Sequence, residues 1–124
     1  MEGIYSELNS LIQEPPYSGY IETDEEREVI MCLVAKCIEE KHIRTTPITY
    51  TEFLNHFKEK GYSKQDLDNA LHGLEVQLSK GDYVLEERDG EKNWTRQYFP
   101  GLGVRLITGE FLKRHPEIEG VVDP

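Results

Sequence analysis

The side chains best suited to chemistry in this sequence lie in one stretch, KEKGYSKQDLDNALHGL, residues 58–74. Gln65, Asn69 and His72 recur there every three or four positions, the spacing that places side chains on one face of an α-helix. Amide side chains suit a bidentate contact with adenine in the major groove of DNA, and imidazole suits base edges or phosphate. Lys64 stands in the first turn, where it and the free backbone amides can hold a phosphate. The pattern predicts a nucleic-acid-binding helix.

The same helix has a second interpretation, in which its polar side chains face solvent and bind no ligand. The helix is predicted to run from Ser63 through Leu78 with its leucines turned inward, at positions 67, 71, 74 and 78. The opposite ridge at Gln65, Asn69, His72 and Val76 then carries no fixed negative charge, while the acidic side chains of the helix fall on its two flanks. Exposed Gln, Asn and His are also ordinary solvent-facing residues. Either interpretation is compatible with the sequence.

Metal-binding and catalytic patterns are weaker. Glu52 and His56 are spaced i, i+4, as are Asp68 and His72, but no third ligand follows at a recognisable spacing. The sequence contains no phosphate-binding glycine loop, nucleophile elbow or paired-carboxylate motif. We therefore expect no metal site, no cofactor and no enzymatic activity.

The net charge of −10 comes from the two ends of the chain. Residues 1–26 contain seven acidic residues and residues 117–124 contain three, and neither segment contains Lys or Arg. Residues 27–116 hold fourteen of each sign, so the acidic total does not exclude nucleic acid. No apolar run approaches the roughly 20 residues of a membrane span, and the N-terminus lacks a signal-peptide pattern. We expect a cytoplasmic protein in which Cys32 and Cys37 are buried thiols.

Capping sequences predict where the helices begin. An amphipathic helix over residues 3–13 ends at a Pro-rich linker, and together they form an N-terminal segment, residues 1–22. Thr23, Thr49 and Ser63 each open a capping box, which predicts three helices with a short extended piece at 45–48 before the second. The main domain is expected over residues 23–116, and a flexible acidic tail over 117–124.

A β-hairpin is predicted around Asp89-Gly90, because both positions tolerate a positive φ angle. Its register places Leu85 opposite Trp94, Glu87 opposite Lys92 and Arg88 opposite Glu91. A further strand at 104–107 and a last helix capped by Thr108 complete the prediction. Arg88, Lys92 and Arg96 are the candidate cations of the hairpin, although the first two can equally form cross-strand pairs.

The order helix, short strand, helix, tight turn, helix, hairpin over residues 23–99 resembles the winged helix-turn-helix superfamily. Residues 105–112, RLITGEFL, loosely resemble the strand-to-helix exit after the wing in PadR- and MarR-type regulators. The resemblance implies an α+β winged-helix domain with flanking N-terminal and C-terminal helices. Most members of the superfamily bind DNA, often as dimers built from terminal helices, and a minority are interaction modules.

The leading hypothesis is a cytoplasmic transcriptional regulator that binds double-stranded DNA through the helix beginning at Ser63. A winged-helix protein-interaction module that does not bind DNA is the alternative, and a third possibility is that the acidic ends mimic DNA or cover the reading face. The N-terminal helix can pack on its own domain or on a second subunit, which would make a homodimer. The residues predicted for that contact are Ile4, Leu8, Leu11 and Ile12.

Overall fold

The computed structural model describes residues 2–43, 45–75, 77–118 and 120. Within these ranges the chain is a mixed α+β fold of five α-helices, one 3₁₀ turn and a three-stranded antiparallel sheet. None of these helices combines the length and apolar character that crossing a bilayer requires. The elements are α1 (Glu2–Ile12), the 3₁₀ turn (Tyr17–Tyr20), α2 (Asp24–Glu40), β1 (Ile48–Thr49), α3 (Tyr50–Glu59), α4 (Lys64–Gly73), β2 (Leu78–Arg88), β3 (Glu91–Pro100) and α5 (Leu102–Arg114).

The three helix starts predicted from capping sequences are confirmed. Thr23 Oγ1 accepts a hydrogen bond from the Glu26 N–H at 3.1 Å, and Thr49 Oγ1 accepts one from the Glu52 N–H at 3.2 Å. Ser63 is the N-cap of α4. Each hydroxyl satisfies one of the amides that the first turn of a helix leaves without a partner.

The third capping sequence forms a full reciprocal box, and the first does not. Ser63 Oγ accepts from the Asp66 N–H at 3.1 Å, and the Asp66 carboxylate accepts from the Ser63 N–H at 2.8 Å. At the start of α2, the Glu26 carboxylate accepts from the Glu22 N–H at 3.0 Å and not from Thr23. The reciprocal bond predicted for that box is therefore displaced by one residue.

The end of α4 differs from the prediction of a helix through Leu78. The helix ends at Gly73, Leu74 leaves the helical conformation, and Leu78 begins β2. Leu74 and Leu78 are both buried, as predicted, but Leu78 reaches the core from a strand. Glycine weakens a helix, and a Cβ at Gly73 would overlap the Glu26 carboxylate. An apolar residue four positions after Leu74 fits a continuing helix as well as it fits the start of a buried strand, so the spacing alone does not distinguish the two.

The strand predicted at 104–107 is wrong, because those residues belong to α5. Gly101 is the N-cap of this helix, and Thr108 lies in its interior with its hydroxyl donating to the Val104 carbonyl at 2.8 Å. Val104, Ile107, Thr108 and Phe111 are buried at helical spacing. Burial of that face outweighs the preference of β-branched residues for strands.

The sheet has the order β1-β3-β2. The predicted hairpin register is confirmed, with Leu85 opposite Trp94 and Arg88 opposite Glu91. Asp89 and Gly90 both have positive φ angles, as the two-residue turn requires. An irregularity between Lys80 and Tyr83 interrupts the pairing near the base of the hairpin. Beyond it the hairpin continues as a two-stranded arm, which we call the wing (83–96).

The helices and the base of the sheet share one core, and α1 belongs to it. Leu8, Leu11 and Ile12 are at most 2% exposed, so α1 packs on its own chain. Arg114 of α5 also bonds the Glu14 carboxylate at 2.7 and 3.2 Å. A second copy could reach these apolar residues only by exchange of α1. The tail predicted at 117–124 lies largely outside the described residues, at Glu119 and 121–124.

Candidate nucleic-acid interface

One side of α4 presents the polar ridge that the sequence predicts. Leu67, Ala70 and Leu71 are buried, which turns Gln65 and Asn69 outward. Gln65 Nε2 donates a hydrogen bond to Asn69 Oδ1 at 2.9 Å, so the two amides are aligned one helical turn apart.

His72 continues the ridge with a side chain that is 85% exposed. Its Nδ1 lies 3.6 Å from a carboxylate oxygen of Glu75. We call Gln65, Asn69 and His72 the α4 ridge. All three residues are exposed, so a large ligand can contact them.

The aspartates on the two flanks of this ridge form hydrogen bonds with neighbouring groups. The Tyr50 hydroxyl donates to Asp68 Oδ1 at 2.6 Å, and Lys64 Nζ donates to Asp68 Oδ2 at 3.0 Å. The hydrogen bond from Tyr50, and then the one from Lys64, lower the pKa of Asp68. Lys64, predicted as a phosphate ligand, therefore already holds one carboxylate. On the other flank, Asp66 is held in the capping box.

The wing cations differ in their surroundings. Arg88 faces Glu91 and Lys92 faces Glu87 across the strands, but within the described part of the chain neither cation forms an ion pair. Both are exposed at the tip of the wing. Opposed charges on neighbouring strands do not require contact, because long side chains extend into solvent.

Arg96 is held in place by partners that the sequence pattern does not show. Its Nη1 donates to the Gly81 carbonyl at 2.8 Å, and its guanidinium lies 4.3 Å from the centre of the Tyr83 ring. Arg96 and Tyr83 are directly opposed in the hairpin. The arrangement is a cation–π contact that fixes the guanidinium at the base of the wing.

A groove of about 640 Å³ runs between the wing and helices α3 and α4, and we call it the wing groove. It brings together Lys64, Arg88 and Arg96 from the predicted site, whereas Gln65, Asn69, His72 and Lys92 do not line it. Sequence reasoning missed three further groups there. They are Lys80, Tyr83 and Trp94.

The wing face beside this groove exposes three large hydrophobic residues. Trp94 is 68% exposed, Tyr83 55% and Leu85 49%. Tyr83 and Leu85 alternate along β2, and Leu85 is opposite Trp94, so the three share one face of the hairpin. The predicted register had already placed Leu85 opposite Trp94. An exposed apolar face of this kind indicates a binding surface.

The i, i+4 pairs considered as metal ligands are engaged elsewhere. Glu52 accepts a hydrogen bond from Lys36 at 3.1 Å, and His56 Nε2 lies 2.8 Å from a carboxylate oxygen of Glu28. Across residues 2–43, 45–75 and 77–118, no group of three His, Cys, Asp or Glu side chains is arranged to hold a metal ion. The contacts of Glu52 with Lys36 and of His56 with Glu28 instead stabilise the packing of α2 on α3.

Comparison with known proteins adds no further support for a family. No protein-family model matches the sequence, and neither the curated proteins nor the solved structures compared with it include a match. The layout of helices and three-stranded sheet is compatible with a winged helix. Any functional conclusion therefore rests on the site itself.

Proposed function

We propose that this chain is a winged-helix protein that binds double-stranded DNA and acts as a cytoplasmic transcriptional regulator. The observation that carries the proposal is the exposed, uncharged α4 ridge with a β-hairpin beside it. A helix that presents amide and imidazole groups can enter the major groove, where those groups meet base edges. The order of elements and the sheet order β1-β3-β2 support the same interpretation.

In this proposal the α4 ridge contacts bases and the cations contact phosphates. Gln65, Asn69 and His72 contact bases, and the hydrogen bond between Gln65 and Asn69 holds the two amides in a common orientation. Lys64 and the first turn of α4 lie at a phosphate. Arg96, together with Lys92 or Arg88 at the exposed tip of the wing, contacts the DNA backbone.

Charge limits the affinity that this surface can reach. Phosphate contacts supply most non-specific binding, and the chain as a whole carries −10. At most four cations, Lys64, Arg88, Lys92 and Arg96, neutralise phosphates in this proposal, and Lys64 does so only by releasing Asp68. We therefore expect a salt dependence in which log K falls with log salt with a slope no steeper than about −4.

Fluorescence anisotropy with labelled duplex DNA, repeated across salt concentrations, tests the proposal. The double variant Asn69→Ala with His72→Ala removes two ridge side chains from an exposed surface. Its matched control is Asn55→Ala with His42→Ala, which changes the same residue types at exposed positions outside the ridge. The proposal expects weaker binding from the ridge variant alone. Equal affinities for both variants, or affinity that salt does not change, would contradict it.

A regulator that reads a palindromic site requires two-fold symmetry. We propose that a homodimer, if formed through the predicted residues, exchanges α1 between subunits, because Leu8, Leu11 and Ile12 are buried within one chain. Sedimentation equilibrium measures the mass directly. A monomer at all concentrations would remove the exchanged dimer from the proposal.

One observation favours an interaction module as the second candidate. Leu102 is 60% exposed and Leu106 45%, and the two lie one helical turn apart on α5. Val76, the apolar ridge residue predicted for such a contact, lies outside the described residues. A stoichiometric protein partner lost on Leu106→Asp, but retained on Lys113→Asp, would support this candidate. If no such partner is captured, this candidate loses its support.

A further inference from the structure

We propose that the wing groove is a binding site for single-stranded nucleic acid, in which an unpaired base stacks on Trp94. This activity goes beyond the proposed reading of duplex DNA. It rests on three features of the groove, which are a free aromatic ring, a concentration of cations and separation from the α4 ridge.

The first feature is the indole of Trp94. Its side chain is 68% exposed, and among the described residues no other ring or cation lies over it. By contrast, the Arg96 guanidinium already covers the Tyr83 ring at 4.3 Å. An unpartnered indole on a fixed strand is a stacking surface, and every base has a flat face that can use it.

The second feature is the sign of the charge. The groove is lined by four cations, Lys64, Lys80, Arg88 and Arg96, and by one carboxylate, Asp68. The whole chain has 14 basic and 24 acidic residues, so the groove departs sharply from its average. Glu75 lies 3.9 Å from Lys80 but does not line the groove. The groove therefore suits an anionic ligand.

The third feature is that the groove and the α4 ridge are different surfaces. Gln65, Asn69 and His72 do not line the groove, although the groove shares Lys64, Arg88 and Arg96 with the cations proposed to contact duplex DNA. Bases within a duplex are stacked on their neighbours and cannot stack on Trp94. An unpaired strand exposes its base faces, so the groove and the ridge favour different forms of nucleic acid.

A single strand also fits better than an acidic peptide. Each nucleotide carries a phosphate and a flat ring, and the groove offers cations and a ring side by side at Arg96 and Trp94. Asn93, next to Trp94, adds a hydrogen-bonding group for a base edge or phosphate. An acidic peptide would pair with the cations but would leave the indole without a stacking partner.

The chain contains a single tryptophan, so its fluorescence reports this contact directly. Titration of the full chain with a twelve-nucleotide oligothymidine should quench Trp94 emission to saturation, and added salt should weaken the binding. With fluorescein-labelled oligothymidine, Trp94→Ala should lower the affinity about 5- to 150-fold. Trp94→Phe should retain most of the affinity, because a ring remains.

Two controls separate this proposal from the duplex proposal. Leu102→Ala removes a comparably exposed apolar side chain outside the groove and should leave single-strand affinity unchanged. The ridge variant, Asn69→Ala with His72→Ala, should also leave it unchanged while weakening duplex binding. Failure of one activity is thus measured independently of the other.

Three results would overturn the proposal. The first is the absence of saturable binding of oligothymidine to the wild-type chain. The second is binding that Trp94→Ala does not weaken, which would place the strand elsewhere. The third is tighter binding, with Trp94 quenching, of a twelve-residue oligoglutamate peptide than of oligothymidine, which would make the groove a site for acidic peptides.

Discussion

The hydrogen bond between Tyr50 and Asp68 fixes α4, which carries the proposed reading ridge, against α3. Tyr50 stands in the first turn of α3, and its hydroxyl lies 2.6 Å from Asp68 Oδ1 in the middle of α4. Tyr50→Phe removes the hydroxyl and keeps the ring. The variant should therefore lose this one bond and little packing.

The size of the loss follows from the charge and exposure of the pair. A hydrogen bond to a charged group contributes about 1.5–3 kcal/mol. The Asp68 side chain is 37% exposed, so solvent screening reduces the expected loss to about 1 kcal/mol. For a chain of this size that corresponds to a fall in Tm of about 4 °C.

The effect should depend on pH in one direction. Since the pKa of Asp68 is lowered in the folded chain, chiefly by Tyr50, folding favours the ionised carboxylate. That contribution is complete above the unfolded pKa of about 3.9 and is lost as the pH falls through the folded pKa. The difference between wild type and Tyr50→Phe should accordingly be constant well above about pH 3.9 and shrink as the pH falls below it.

Urea unfolding followed by circular dichroism measures both quantities. Tyr62→Phe is the matched control, because the Tyr62 hydroxyl has no hydrogen bond to any described residue. A double-mutant cycle with Asp68→Asn isolates the coupling of the pair. Equal stabilities of Tyr50→Phe and Tyr62→Phe at pH 7, or a difference that grows on acidification, would contradict a stabilising hydrogen bond between Tyr50 and Asp68.

Three further predictions concern the fold. Leu11→Ala should lower the free energy of unfolding in urea by about 2–5 kcal/mol, because Leu11 is 2% exposed and lies in the core. A loss as small as that of an exposed leucine would contradict the packing of α1. Gly61→Ala should destabilise the fold by about 1 kcal/mol, because φ at Gly61 is +85°. Gly109→Ala should stabilise it, because Gly109 lies inside α5 with open space around it. Thermal unfolding measures both changes, and shifts of the same sign for the two variants would contradict the prediction. Burial raises the pKa of Cys32 and Cys37 to about 12, so iodoacetamide at pH 8 should modify them only after unfolding, and rapid labelling of the folded chain would contradict this.

Local signals in the sequence predicted most elements of the fold. A hydroxyl followed three residues later by an acid marked the starts of α2, α3 and α4, and Asp89-Gly90 marked the hairpin and its register. Those signals act within a few residues, so they can be read without the tertiary structure. The identity of α5 could not, because Val104 and Ile107 favour strands locally and form a helix that buries them.

The candidate site was predictable only in part for the same reason. The exposure of Gln65, Asn69 and His72 follows from helical spacing alone. The wing groove depends on how closely the hairpin approaches α3 and α4, which no local pattern encodes. Arg96 illustrates the limit, since its partners are a carbonyl and a ring on the opposite strand.

The proposed function depends on contact between the α4 ridge and the bases of duplex DNA. The most direct test is nuclear magnetic resonance of ¹⁵N-labelled protein during titration with duplex DNA, following the side-chain NH₂ groups of Gln65 and Asn69. These two signals should shift, while the NH₂ signal of Asn55 on α3 should not. Shifts confined to residues outside α4, or no shift at DNA concentrations that saturate binding, would contradict it.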